Sequence, residues 1–82
     1  MTESLNVTVR NKTNVFLKAD CLSISMSNTV GPFDILPEHA NFISLIAGEV
    51  VAREVSGKTW KKEGVRGVVR VVSNVVDVVI LE

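Results

Sequence analysis

The chain contains one histidine, His39, and one cysteine, Cys21, so any nucleophilic or metal chemistry has to be assembled from these and the carboxylates around them. Asp34 and Glu38 are the carboxylates nearest His39 in sequence. A Cys–His pair would supply a thiolate and its base, but only if folding brought Cys21 and His39 together. One His and one Cys reach a zinc site only with carboxylate help. Gly64 and Gly67 are too few, and open no helix, to cradle a phosphate. A lone Cys in an alternating segment packs as a small apolar group. Being alone, it also excludes an intrachain disulfide and fits a reducing compartment. His39 follows Pro37 closely and suits backbone bonding within a turn. The expectation is a non-enzymatic chain with no catalytic residue, no metal and no cofactor.

The segment that carries His39 stands apart from its surroundings. Residues 31–46 open on Gly31-Pro32, where Gly admits positive φ and Pro fixes φ and removes a donor. Phe33, Ile35 and Leu36 can anchor it to a core, and Pro37 pushes Leu36 toward an extended conformation. Glu38-His39-Ala40 reads as a turn, and Glu38 to Leu45 is the one stretch that admits a short helix. Apolar Phe42, Ile43, Leu45 and Ile46 follow. Strict alternation over 42–46 leaves large apolar groups outside whichever face turns inward, which suits an interface.

On either side the chain reads as strands. Leu5, Val7 and Val9 alternate with polar residues, Asn11 to Asn14 is a turn, and Val15 to Leu17 restarts extended structure. Leu22, Ile24 and Met26 are expected on one face, with Ser23, Ser25 and Ser27 on the other. Ala47-Gly48-Glu49 is expected to turn. Val50 to Val55 and Thr59 to Val65 form a hairpin about Ser56-Gly57-Lys58, and Val68 to Val72 and Val75 to Leu81 form a last one at Ser73-Asn74. Only Asp77 interrupts the final apolar run, so both of its faces are expected to be covered, one by core and one by a partner. Trp60 is expected to close one end of the fold.

Eighty-two residues, 46% of them apolar and rich in valine, allow one all-β domain over 1–82 near the lower size for a self-sufficient core. Nine basic and nine acidic residues cancel, so no global field points to nucleic acid or an anionic membrane. Arg53, Lys58, Lys61, Lys62, Arg66 and Arg70 cluster in sequence and are either a solvated hairpin face or a patch for an acidic partner. No signal peptide is visible, and the longest apolar run falls far short of the ~20 residues a membrane helix needs.

The pattern Gly31-x-x-x-Ile35-Leu36-Pro37-x-His39-Ala40, with an apolar strand, a Gly, and two hairpins after it in order, resembles the N-terminal β-sandwich of the epsilon subunit of rotary F-type ATP synthases. The resemblance covers nearly all of the chain and implies an antiparallel β-sandwich, or flattened barrel, of that type. It implies a non-catalytic central-stalk subunit that couples ATP synthesis to ion transport, at the cytoplasmic face of an energy-transducing membrane or in an equivalent compartment, without inserting into the membrane. His39, Ala40, Phe42 and Ile43 would meet the gamma subunit, and Gly31, Pro32, Phe33 and Asp34 the c-ring. Pro32 stands where many bacterial members carry the acid that faces the ring, and Asn41 where Pro often follows the His-Ala pair. Epsilon subunits continue into a C-terminal helical hairpin with inhibitory and ATP-sensing behaviour. The 82 residues hold no counterpart, so the expectation is a naturally short or shortened chain that neither inhibits hydrolysis nor binds ATP. The rival reading is a free-standing epsilon-like domain that binds another protein or associates with itself when isolated.

Overall fold

The computed structural model of the chain describes residues 3–38 and 41–81. Six strands account for the fold: β1 (Leu5–Arg10), β2 (Val15–Ser27), β3 (Pro32–Ile35), β4 (Phe42–Glu54), β5 (Thr59–Val72) and β6 (Val75–Ile80). Period-two burial runs through most of them. Leu5, Val7 and Val9 of β1 are fully buried, as are Val76 and Val78 of β6, while alternate residues stay at least partly in solvent. Among the described residues no helix forms, and where a short helix was expected between Glu38 and Leu45, Phe42 onward is extended.

The strands follow the order β1-β6-β5-β4-β2-β3, and an additional β1–β2 pairing closes the sheet into a barrel. All neighbours are antiparallel except β1 and β6, which run parallel. The barrel is flattened, 37 × 25 × 18 Å, because two long strands bend and pass from one layer to the other. The first half of β2 pairs with β1, and its second half with β3 and β4. Residues 42–48 of β4 pair with β5 alone, and residues from 50 onward pair with β5 and largely with β2 as well. Each change of partner falls at an irregularity: an extra residue in β2 between Cys21 and Ser23, and one in β5, where Glu63 and Gly64 together stand against Glu49 between Gly48 and Val50 of β4. An extra residue on one strand bends it and sharpens its twist, which makes a corner.

These corners correct two expectations. Ala47-Gly48-Glu49 is no turn but the middle of a continuous strand, facing the bulge of β5, with Gly48 at φ 113°, a conformation that L side chains rarely adopt. The β2 bulge shifts the alternation by one, so Cys21 and Ile24 both face the core and Leu22 points out, 42% exposed. The central segment also differs. Pro32–Ile35 is a true edge strand on β2, with Pro at its first position where a missing N–H costs no ladder bond. Ile35 is fully buried, Phe33 packs against the core, and Leu36, expected to anchor, is exposed.

Among the described residues sixteen buried apolar side chains, contributed by all six strands, form one core, with Phe16, Leu17, Ala19, Phe33, Phe42 and Trp60 packed around it. Trp60 lies opposite Ala52 and is half-buried. The last hairpin turns as expected at Ser73-Asn74, both at positive φ (48° and 64°), the two-residue turn whose twist matches antiparallel strands.

Candidate docking surface

Cys21 lies in the core with no exposed surface. Its thiol sits 3.8 Å from the carbonyl of Ala19, and burial, reinforced by Glu54 and Asp20, pushes its pKa up to about 11. The nucleophilic form is therefore scarce at neutral pH, the opposite of an activated cysteine. His39 and Ala40 lie outside the described residues. No group of three His, Cys, Asp or Glu that could hold a metal occurs among the described residues. The native chain is expected to react with a thiol reagent such as DTNB at pH 8 at least ~100-fold more slowly than the urea-unfolded chain. Equal rates would place Cys21 at the surface.

The surface itself is more informative. The half of the barrel formed by β4, β5 and β6 carries apolar residues outside as well as inside. The register defines its rows. Ile43 of β4, Arg70 of β5 and Asp77 of β6 lie side by side; Leu45, Val68 and Val79 form the next row, and Val72 and Val75 pair beyond. Ile43 is 69% exposed and Leu45 70%, with Leu81, Val75 and Val72 also exposed. Their sequence neighbours Ile46, Val69, Val71, Val76 and Val78 fill the core, so both faces of these strands are apolar. Valine and isoleucine on both faces fit strands covered on both sides, and here one side is bare. The expected apolar surplus of residues 42–46 is therefore real. Its outward members are Ile43 and Leu45, while Phe42 turns inward and meets Phe33 edge-to-face at 6.0 Å between ring centroids.

One charge pair crosses this face. Arg10 donates from Nε to Asp77 Oδ1 (3.0 Å) and from its terminal nitrogen to Oδ2 (2.9 Å), a two-pronged pair between parallel neighbours β1 and β6. The connection into β4 is fixed to the β5–β6 turn: Glu38 N donates to Asn74 Oδ1 (2.8 Å), and Ser73 N to Asn41 Oδ1 (2.9 Å). At the same place the Glu3 carboxyl is pushed up, first by a hydrogen bond to Glu38 and then by its charge. The start of β4, and with it Ile43, is thus held against the hairpin that completes the apolar rows.

The residues expected at the ring lie elsewhere. Asn28 Oδ1 accepts from the backbone N–H of Val30 and of Gly31 in a tight turn ahead of β3, and Val30 at its tip is 95% exposed. Pro32 and Asp34 point outward and Phe33 inward. Asp34 is engaged: Ser25 Oγ donates to its Oδ1 at 2.6 Å, and Arg53 donates to Ser25 and Ser23. The six clustered basic residues do not make one patch. Arg53 joins this network, Lys61 pairs with Glu49 at 3.3 Å, Lys62 lies 5.1 Å above the Phe16 ring, and Arg66 and Arg70 lie on the outer side of the other half of β5. Alternation and the β5 bend separate residues that are adjacent in sequence. Sequence reasoning did not join Leu45, Val68, Val72 and Val79 into one surface with Ile43; its signals were the apolar surplus of residues 42–46 and a last run broken only by Asp77.

No protein-family model matches the chain, and no curated protein matches it in sequence. Solved structures do share its fold. A chain of the Euglena gracilis mitochondrial ATP synthase, in a cryo-EM structure of OSCP, F1 and the c-ring in rotational state 1, superposes with a TM-score of 0.87 at 20% identity, over 96% of this chain and 51% of that one. A chain of the Tetrahymena thermophila mitochondrial ATP synthase central stalk and c-ring superposes with a TM-score of 0.80 at 17% identity, over 99% of this chain and 66% of that one. The chain thus spans about half to two-thirds of the length of these structural relatives. Its architecture is the flattened β-barrel expected of an epsilon-type N-terminal domain.

Proposed function

We propose that the chain is a non-catalytic epsilon-type subunit of a rotary F-type ATP synthase, a part of the central stalk that helps couple ion transport to ATP synthesis. The observation that carries this reading is the bare apolar outer face of β4, β5 and β6 on a fold shared with chains of ATP synthase assemblies. Large apolar patches on a small domain mark interaction sites. In this reading the gamma subunit covers that face through Ile43 and Leu45. Phe42 supports the segment from inside, and His39 and Ala40 belong to the same contact. The turn before β3, with Gly31, Pro32 and Asp34 and the exposed tip Val30, faces the c-ring, and Phe33 holds it to the core. Ser25 bonds one oxygen of Asp34 and so orients its exposed carboxylate, which the ring contact would use together with the apolar tip. The peripheral location at an energy-transducing membrane follows from these partners.

The test is direct binding of the full chain to the gamma subunit of an F-type ATP synthase by isothermal titration calorimetry, with sedimentation of the chain alone as the companion. A one-to-one complex is expected. No gamma binding, together with a dimer held by the same face, would favour the free-standing, self-associating reading.

A further inference from the structure

We infer that the surface docking on the outer face of β4, β5 and β6 carries a carboxylate that seats against Arg70; this rests on the docking reading above. Arg70 stands in the middle of the apolar rows, opposite Ile43 on one side and Asp77 on the other, with Val68 and Val72 outward of it along β5. Its guanidinium makes none of the ion pairs or side-chain hydrogen bonds found among the described residues. The neighbouring carboxylate cannot serve it fully, because both oxygens of Asp77 are bonded to Arg10. Around Arg70 the face therefore presents a self-neutralised pair and one uncompensated cation, with the next, Arg66, two rows further along β5 opposite Ala47. Shallow hollows on either side of Arg70, one lined by Val72, Val75 and Asp77 and one by Phe42, Ile43 and Val72, leave room for a partner group to reach it.

A cation covered by an apolar partner loses its water and gains nothing in return, a penalty that disfavours docking unless an anion arrives with the partner. Arginine's planar fork suits a carboxylate approached in two-pronged fashion. The complementary surface is thus apolar with one acidic side chain placed to reach the row of Ile43 and Asp77, rather than a generally acidic patch. The apolar contacts supply adhesion, and the single charge fixes register, since a partner shifted along the strand would leave both charges unpaired.

The experiment compares Arg70→Met, Arg70→Glu and Leu45→Asp for binding to the gamma subunit. Leu45 faces Val68, not Arg70, so its variant tests the docking face independently. Arg70→Met keeps the apolar stem and is expected to fold with unchanged thermal stability but to weaken binding at least about tenfold. Arg70→Glu is expected to lose binding, and a carboxylate-to-lysine change on gamma is expected to restore it. If Arg70→Met binds like the parent chain while Leu45→Asp does not bind, the carboxylate contact is overturned and the docking face stands. If Leu45→Asp also binds normally, or the parent chain does not bind gamma, the docking reading fails and the contact with it. If Arg70→Met weakens binding but no charge reversal on gamma restores binding by Arg70→Glu, the loss is one of packing and the carboxylate contact is overturned.

Discussion

Replacing Ile43 by Asp is expected to abolish gamma binding while the domain stays folded. Ile43 is 69% exposed and belongs to the outer row, so the substitution removes nothing from the core. In the free chain the new carboxylate would face Arg70 across the ladder, a pairing that is neutral to mildly stabilising. In a complex it would sit at the centre of an apolar contact. Truncating one such anchor costs ~2 kcal/mol or more, and a desolvated charge adds to that, so the affinity should fall by at least about 100-fold. Leu45→Asp, which has no cation opposite, should behave alike. Phe42→Asp provides the contrast. Its ring packs inward on Phe33 and the core, so a charge there is expected to unfold the domain rather than leave a folded non-binder. Circular dichroism melts alongside calorimetry separate these outcomes. An Ile43→Asp chain that folds and still binds with parent affinity would remove the outer face from the interface. A loss of fold in both variants would mean that residues 42–46 are packed on both sides within the domain.

Gly67→Ala is expected to be the most damaging single-methyl change in the chain. Gly67 is buried in β5 opposite Ile80, and a Cβ built there would fall on the carbonyl oxygen of Val79. That obstacle is backbone, so relief requires β6 to shift against β5, and β6 also closes the barrel through β1. Overpacking typically costs about 1–3 kcal/mol, and displaced backbone belongs at or above the top of that range. A domain of this size holds on the order of 4–12 kcal/mol in all, and each 1 kcal/mol moves the midpoint by roughly 4–8 °C. A fall in melting temperature of roughly 12–24 °C is therefore expected, measured by calorimetry, with partial unfolding at ambient temperature if the parent is at the weak end. Val68→Ala, one residue away on the outer face, should cost less than about 1 kcal/mol. A Gly67→Ala chain as stable as the parent would show that β6 can move away from β5 freely.

The sequence by itself determined most of the extended segments and where two hairpins turn, but not the edge strand Pro32–Ile35 or the continuity of β4 and β5. Alternation in Leu5 to Val9, the Ser56-Gly57 and Ser73-Asn74 turns, and the valine runs of the last two strands are local signals, and backbone geometry turns period two directly into two faces. It also pointed to Cys21 as a small packing residue, and to residues 42–46 as holding more apolar bulk than one face can bury. Only the tertiary structure decided how those faces are assigned. The bulges at Cys21–Ser23 in β2 and at Glu63–Gly64 in β5 are paid for by barrel closure; the first reverses which side Leu22 presents, and opposite the second β4 runs straight through the expected loop. Local pattern cannot register an extra residue whose reason lies in a distant partner. For the same reason Arg70 looked like one member of a basic cluster. Cross-strand register, set by residues 27 positions away in Ile43 and seven away in Asp77, places it between an apolar side chain and a carboxylate already bonded to Arg10, away from the other clustered bases.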